Sequence, residues 1–261
     1  MRAYVQLVKK ETPIYLAMEQ ASHWFWQRGY EVVRFEFEDV ALGKLDEDLL
    51  QKPDEMVVRG GVETIRQLLA RAGKPTPPNL DLPGSLQPWI GRRVWKTTLS
   101  EVRAAVGADG FEPLHIKPLL HHKLFTGMVV RSFRDLIPTA GLPADTPILA
   151  QQCVEFRSEW RASILRGRIL NVGHYKGDPL LFPDADRVRS ALEAYYDRPI
   201  GFAMDWGVTG TGETLLIEVN DGYALGNFGV SGADYTAIIE ARWRELMRLP
   251  DNGIGERLLR S

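Results

Sequence analysis

The stretch that decides the fold is Leu215-Leu216-Ile217-Glu218-Val219-Asn220-Asp221, read together with Met204-Asp205-Trp206 a short way upstream. An acid interrupts an apolar run at Glu218. Glu218 and Asn220 are two apart, so in a strand they share a face, while Ile217 and Val219 take the other. Between the two segments, Thr209-Gly210-Thr211-Gly212 reads as a turn, making 200–208 and 214–219 a hairpin. Pairing symmetric about Thr211-Gly212 puts Asp205 directly opposite Glu218, with Cβ atoms about 4.5–5.5 Å apart. Two carboxylates that close repel, and one takes up a proton unless a cation intervenes. A hard divalent ion such as Mg2+ resolves this with oxygen ligands, and Asn220 adds an amide oxygen. The other reading is an edge hairpin whose acids face solvent or pair with arginines.

Outward from the hairpin, Glu155, Arg157, Glu159 and Arg161 alternate with Phe156, Ser158 and Trp160. In one unbroken strand the four charges would share a face, either a salt-bridged exposed surface or the polar wall of a cleft. The pattern places strands at 148–156, 159–165 and 168–175, with turns near Arg157-Ser158 and Arg166-Gly167. A helix over 185–196 starts at an Asp184 cap, and a last helix covers 233–248. Further upstream, a helix near 99–106 precedes a short strand, 114–117, that ends on Lys117-Pro118. His121-His122-Lys123-Leu124-Phe125-Thr126-Gly127 follows, a loop able to fold over a polyphosphate with Lys123 and backbone N–H groups. It is not a Walker A loop. Lys96 is a third basic candidate, though any single lysine is also an ordinary surface charge.

The first 75 residues read differently. A strand at 4–8 leads to Thr12-Pro13, a cap followed by proline at the first helical position. A helix then runs to about Arg28 and stops at Gly29. Strands at 30–37 and 56–58 and a helix over 62–72 complete a β-α-β-β-α order, which implies a small α/β layer with a largely parallel sheet. Trp24, Phe25 and Trp26 on the first helix are core or partner surface. Five prolines within 74–88 mark a stiff linker. The expected organisation is an α/β domain over 1–75, a linker over 76–88, and an α+β domain over 89–261 with lobes at about 89–150 and 151–261.

Composition narrows the class. The net charge is −2 with no basic block, so no nucleic-acid surface is expected. No apolar run reaches membrane-helix length. Cys153 is the single cysteine, which rules out an intrachain disulfide, fits a cytoplasmic setting, and reads as a small buried residue. No Cys/His spacing suggests zinc, and neither a G-x-S-x-G elbow nor a strand-borne G-x-G-x-x-G is present.

Taken in order, Ile116-Lys117-Pro118, Lys123 to Gly127, Ser158-Glu159-Trp160-Arg161 and Glu218-Val219-Asn220-Asp221-Gly222 resemble the ATP-grasp superfamily, and within it the R2K clade, over about 91–246. The resemblance implies a Rossmann-like preceding domain and a two-lobed ATP-grasp fold with ATP and Mg2+ bound between the lobes. It implies metal ligation by Asp205, Glu218 and Asn220. The adenine edge falls at Gln152, Cys153, Val154 and Glu155, with Glu159 on the ribose. Lys96, Lys117 and Lys123 fall on the phosphates, under a cover that includes Thr126 and Gly127. The implied activity is carboxylate–amine ligation through an acyl phosphate, on small-molecule or peptide carboxylates and amines. Many such ligases carry arginine two residues before the metal-binding aspartate. Here that position is Ala203, which leaves Arg161 and Lys176 as candidates to steady the acyl phosphate. A small-molecule kinase and a non-catalytic nucleotide-binding module are the alternatives.

Overall fold

The computed structural model describes residues 1–12, 14–119 and 124–253. In chain order the elements are β1 (Arg2–Gln6), α1 (Tyr15–Gln27), β2 (Glu31–Phe35), α2 (Phe37–Ala41), α3 (Asp46–Gln51), β3 (Met56–Arg59), α4 (Val62–Arg71), α5 (Gln87–Ile90), β4 (Val94–Thr98), α6 (Leu99–Val106), β5 (Leu114–Pro118), β6 (Met128–Val130), β7 (Pro147–Gln152), β8 (Phe156–Leu165), β9 (Arg168–Gly177), α7 (Ala185–Ala194), β10 (Gly201–Thr209), β11 (Thr214–Asp221) and α8 (Gly232–Met247). They form two compact units: residues 1–89 with 157–261, and residues 90–156.

The larger unit holds a parallel sheet, β2-β1-β3, and an antiparallel one, β11-β10-β8-β9. The first layer closes its core with distant partners: Tyr4, Phe25, Phe35 and Leu68 pack in one cluster with Ala203, Tyr235, Ile238 and Trp243. α8 is therefore buried around most of its circumference, including Thr236 and Glu240. A helix apolar on one stripe would not survive there. Its first residue must be glycine, because a Cβ on Gly232 would sit 1.8 Å from Nε1 of Trp24. Glu240, fully buried, accepts from Arg28 at 2.5 Å, Tyr30 at 2.7 Å and Asn252 at 2.6 Å.

The smaller unit is a four-stranded antiparallel sheet, β4-β7-β5-β6. Ile116, Val130, Ile148 and Ala150 pack on Leu99 and Val102 of α6, with Phe125 joining from the loop before β6. α6 begins in a capping box, with Thr98 and Glu101 satisfying each other's backbone N–H.

Several local expectations change. α1 starts after Ile14 rather than at Thr12, with no side-chain cap, and Pro13 lies outside the described residues. The segment 36–52 forms α2 and α3, and the strand before it stops at Phe35. The apolar run 148–156 is not one strand: it breaks at 153–155, and β8 runs through Arg157-Ser158 without a turn. Glu155 therefore lies outside the strand that carries Arg157, Glu159 and Arg161. Asp184 caps α7 as the sequence suggests, accepting from the N–H of Asp186 and Arg187.

Candidate active site

In the larger unit, Asp205 of β10 lies opposite Glu218 of β11. The route to that register is not the simple one. The turn is one residue shorter than symmetric pairing requires, which leaves β11 one residue in excess and sets Val208 against Thr214 rather than Leu215. A regular ladder from there would set Ile217 against Asp205 and turn Glu218 to the other face. A β-bulge at Ile217 absorbs the extra residue and returns Glu218 to its partner.

Around this pair the polar groups are tightly connected. Asn220 donates to Asp205 Oδ2 at 3.0 Å and to Glu218 Oε1 at 3.2 Å. Arg161 of β8 forks onto Asp205, Nε to Oδ1 and Nη2 to Oδ2, both 2.6 Å. The guanidinium lies 4.3 Å from the centre of the Phe228 ring, which meets Tyr175 at 5.1 Å. Burial pushes the Asp205 carboxyl up; Arg161 pulls the other way, while Glu218 and Glu159 add to the rise. A cation among these oxygens would relieve that cost.

Glu159 accepts from Lys176 at 2.5 Å, an ion pair in which the lysine is largely exposed. Tyr175, absent from the sequence reading, comes to the same cluster by a second bulge. Glu159 pairs with Lys176 and Trp160 with His174, leaving Tyr175 as the extra residue. Burial, then the charges of Asp205 and Glu159, hold its proton on well above the ordinary phenol range. Gly173 is required next to it: a Cβ there would overlap the Phe228 carbonyl at 1.9 Å. Glycine at 173 and an aromatic at 228 were the available signals, and neither is readable without knowing that the segments touch.

In the smaller unit, Lys96 and Lys117 both lie opposite Leu149 of β7, one from each side. Directly paired residues share a face, so two lysines flank one central strand, about 10 Å apart across two strand spacings. Gln151, two residues on, shares that face and bonds to Arg92 at 2.7 Å and His115 at 2.8 Å. Gly127 lies against His115 and Lys117, at 3.2 and 3.5 Å from its implied Cβ, and Thr126 beside it is exposed. Lys123 lies outside the described residues. Gln152 spends its N–H on the Arg93 carbonyl, and Cys153, Val154 and Glu155 belong to no strand before β8 begins. Burial pushes the Cys153 thiol up, against Arg131, which suits an inert residue.

Among the described residues no three His, Cys, Asp or Glu side chains gather as a metal cluster. No helix among them is long and apolar enough to cross a membrane.

Comparison with known proteins agrees with this architecture. Among solved structures, D-alanine–D-alanine ligase from Bacillus anthracis, complexed with ATP, is similar at 15% identity, over 95% of this chain and 97% of that one, with a TM-score of 0.56. A RimK domain ATP-grasp protein from Sphaerobacter thermophilus matches at 18% identity, over 92% and 98%, with a TM-score of 0.53. An L-amino acid ligase from Bacillus licheniformis matches at 13% identity, over 98% and 76%, with a TM-score of 0.56. At such identities the likeness establishes the fold. No curated protein sequence matches significantly. The profile of the ATP-grasp domain, R2K clade family 2, matches residues 89–238, more than half of the chain, and the protein belongs to that family.

Proposed function

We propose that this protein is an ATP- and magnesium-dependent carboxylate–amine ligase that works through an acyl phosphate. The observation that carries the reading is the pairing of Asp205 with Glu218, cross-linked by Asn220. Two carboxylates and an amide are too few for an all-protein metal cage, but they suit magnesium, which takes its remaining ligands from phosphates and water. Arg161 does not exclude this, because a carboxylate has about four lone-pair sites and the fork and Asn220 together use three. When bound, the ion would offset charge on the triphosphate.

The chain's own residues would do the rest by placement. Lys96 and Lys117, on one face of their sheet, would hold phosphate oxygens, and Lys123 would serve the same charge. Gln152 to Glu155 would receive the adenine, and Glu159 the ribose. Arg161, fixed by Asp205 and Phe228, keeps Nη1 for the phosphate that passes to the substrate carboxylate. A carboxylate oxygen attacks the γ-phosphorus and ADP leaves; an amine then attacks the acyl carbon and inorganic phosphate leaves. No side chain becomes covalently attached, so positioning and charge neutralisation carry the rate.

The test is ADP release from Mg-ATP against pools of amino acids and short peptides, followed by mass analysis of products. A new amide together with ADP is expected. A stable phosphorylated product formed without amine would identify a kinase instead. Glu218→Ala should remove turnover while the circular dichroism spectrum stays native; ATP-dependent activity near the wild-type level in that variant would end the proposal.

A further inference from the structure

At the far end of the β8–β9 hairpin, about 13 Å of strand beyond Arg161, the chain turns through Arg166-Gly167, both with positive φ (49° and 72°). Such a two-residue turn favours Asn-Gly; arginine at its first position is strained. Arg166 is held there by a fork onto Asp251, at 2.6 and 2.5 Å. The turn closes one side of a hollow of about 360 Å3 whose other side is the end of α7. Ile169 and Leu192 contribute apolar lining, and Arg168, Arg189, Arg198 and Glu193 supply the charge.

Three guanidinium groups thus share the hollow with one carboxylate. Arg28, Arg71, Arg161 and Arg242 all bond to carboxylates. Arg168 and Arg198 have no carboxylate partner among the described residues, and Arg189 has only the exposed Asp186. Arg198 is nevertheless fixed. Its Nη1 donates to the Tyr195 carbonyl at 2.8 Å and more weakly to that of Leu192 at 3.4 Å. Its Nη2 lies 3.0 Å from where a Cβ on Gly167 would sit, so glycine is what lets the turn come this close. Nε and Nη2 have no acceptor among the described residues. A pre-placed guanidinium loses little freedom when an anion arrives.

We propose that this hollow is a binding site for a small phosphorylated molecule. The phosphate would lie among Arg168, Arg189 and Arg198, and a hydroxyl or amine of the same ligand would meet Glu193. Phosphate fits better than carboxylate, because its tetrahedral oxygens accept guanidinium forks from several sides, whereas a carboxylate offers one edge. The volume exceeds what a bare ion fills and falls at the lower end of small-molecule sites. The site is separate from the Asp205–Glu218 cluster and does not depend on the ligase reading.

The experiment is a titration of the full chain with inorganic phosphate, followed by backbone amide shifts of Gly167 and Ile169, with sodium chloride at matched ionic strength as reference. Saturable shifts at these amides are expected with phosphate and not with chloride. Arg168→Glu, at a side chain with no internal partner, should weaken phosphate about tenfold or more. Arg134→Glu, the same charge change on an exposed arginine of the other unit, should leave it unaltered. Equal shifts from chloride, equal weakening by Arg134→Glu, or wild-type affinity in Arg168→Glu would each overturn the proposal.

Discussion

At the scale of single residues, the candidate site rests on groups held by one another. Arg161→Lys keeps the charge but loses the fork onto Asp205 and the stacking on Phe228. On the proposed chemistry, kcat should fall about 10- to 100-fold with little change in nucleotide affinity, because a displaced guanidinium misses the transferring phosphate. Kinetics beside equilibrium binding of a non-hydrolysable ATP analogue would check this; weaker binding at unchanged kcat would move Arg161 to the nucleotide. Arg161→Ala is a poorer probe, since it strands the buried Asp205 at a cost of about 3–5 kcal/mol. Tyr175→Phe removes a hydroxyl close to Glu159. If Glu159 meets the ribose, KM for ATP should rise several-fold while kcat stays close to wild type. The acids of the hairpin are legible in the sequence because Glu218 breaks an apolar run, and parity alone puts Asn220 on its face. Tyr175 and Phe228 are not legible, since a bulge is a relation between two strands and leaves no mark on either alone.

At the scale of elements, hydrophobic periodicity locates α4, α6 and α7, because each has an apolar face. It fails at 148–156, where apolar residues continue past the last sheet partner and nothing in their type marks the break at 153. It also fails at 36–52. There α2 and α3 are too short to show a helical period, and Glu36 caps α2 in a box with Asp39, a pattern the strand reading overlooks. Asp184 offers a test of a cap that is legible. Backbone N–H groups of Arg187, then Asp186, hold its carboxyl below the ordinary aspartate value. A carboxyl lowered by folding contributes stability above its unfolded value near 3.8, and that contribution disappears as pH falls through the folded value. Asp184→Asn retains an acceptor without a charge, so it should flatten this acid limb in melting curves recorded between pH 2 and 5, roughly the span over which an aspartate titrates. Ser231→Ala, which removes the cap of α8, should cost about 1 kcal/mol in urea unfolding.

At the scale of the whole molecule, the larger unit is stapled by buried polar contacts as well as by its core. Arg59, 1% exposed, reaches Tyr235 at 3.1 Å and the Leu225 carbonyl at 2.8 Å, tying β3 to the segment after β11. Glu240→Ala would leave Arg28 and Tyr30 without their acceptor, and a loss of about 3–5 kcal/mol is expected in denaturant unfolding. Glu240→Gln, which can still accept from Tyr30 and Arg28, should lose less. An effect below about 1 kcal/mol for the alanine change would show that water takes over the network.

The larger unit is also discontinuous, with residues 90–156 set between its two parts. Tyr4, Phe25 and Leu68 share one core cluster with Tyr235, Ile238 and Trp243 of α8. On the ribosome that part of the amino-terminal layer must therefore stay uncovered until α8 has emerged. Nascent chains stalled before α8 should be cut readily by protease within the first 75 residues and should bind chaperones that hold exposed apolar segments, whereas the inserted sheet has what it needs to close early.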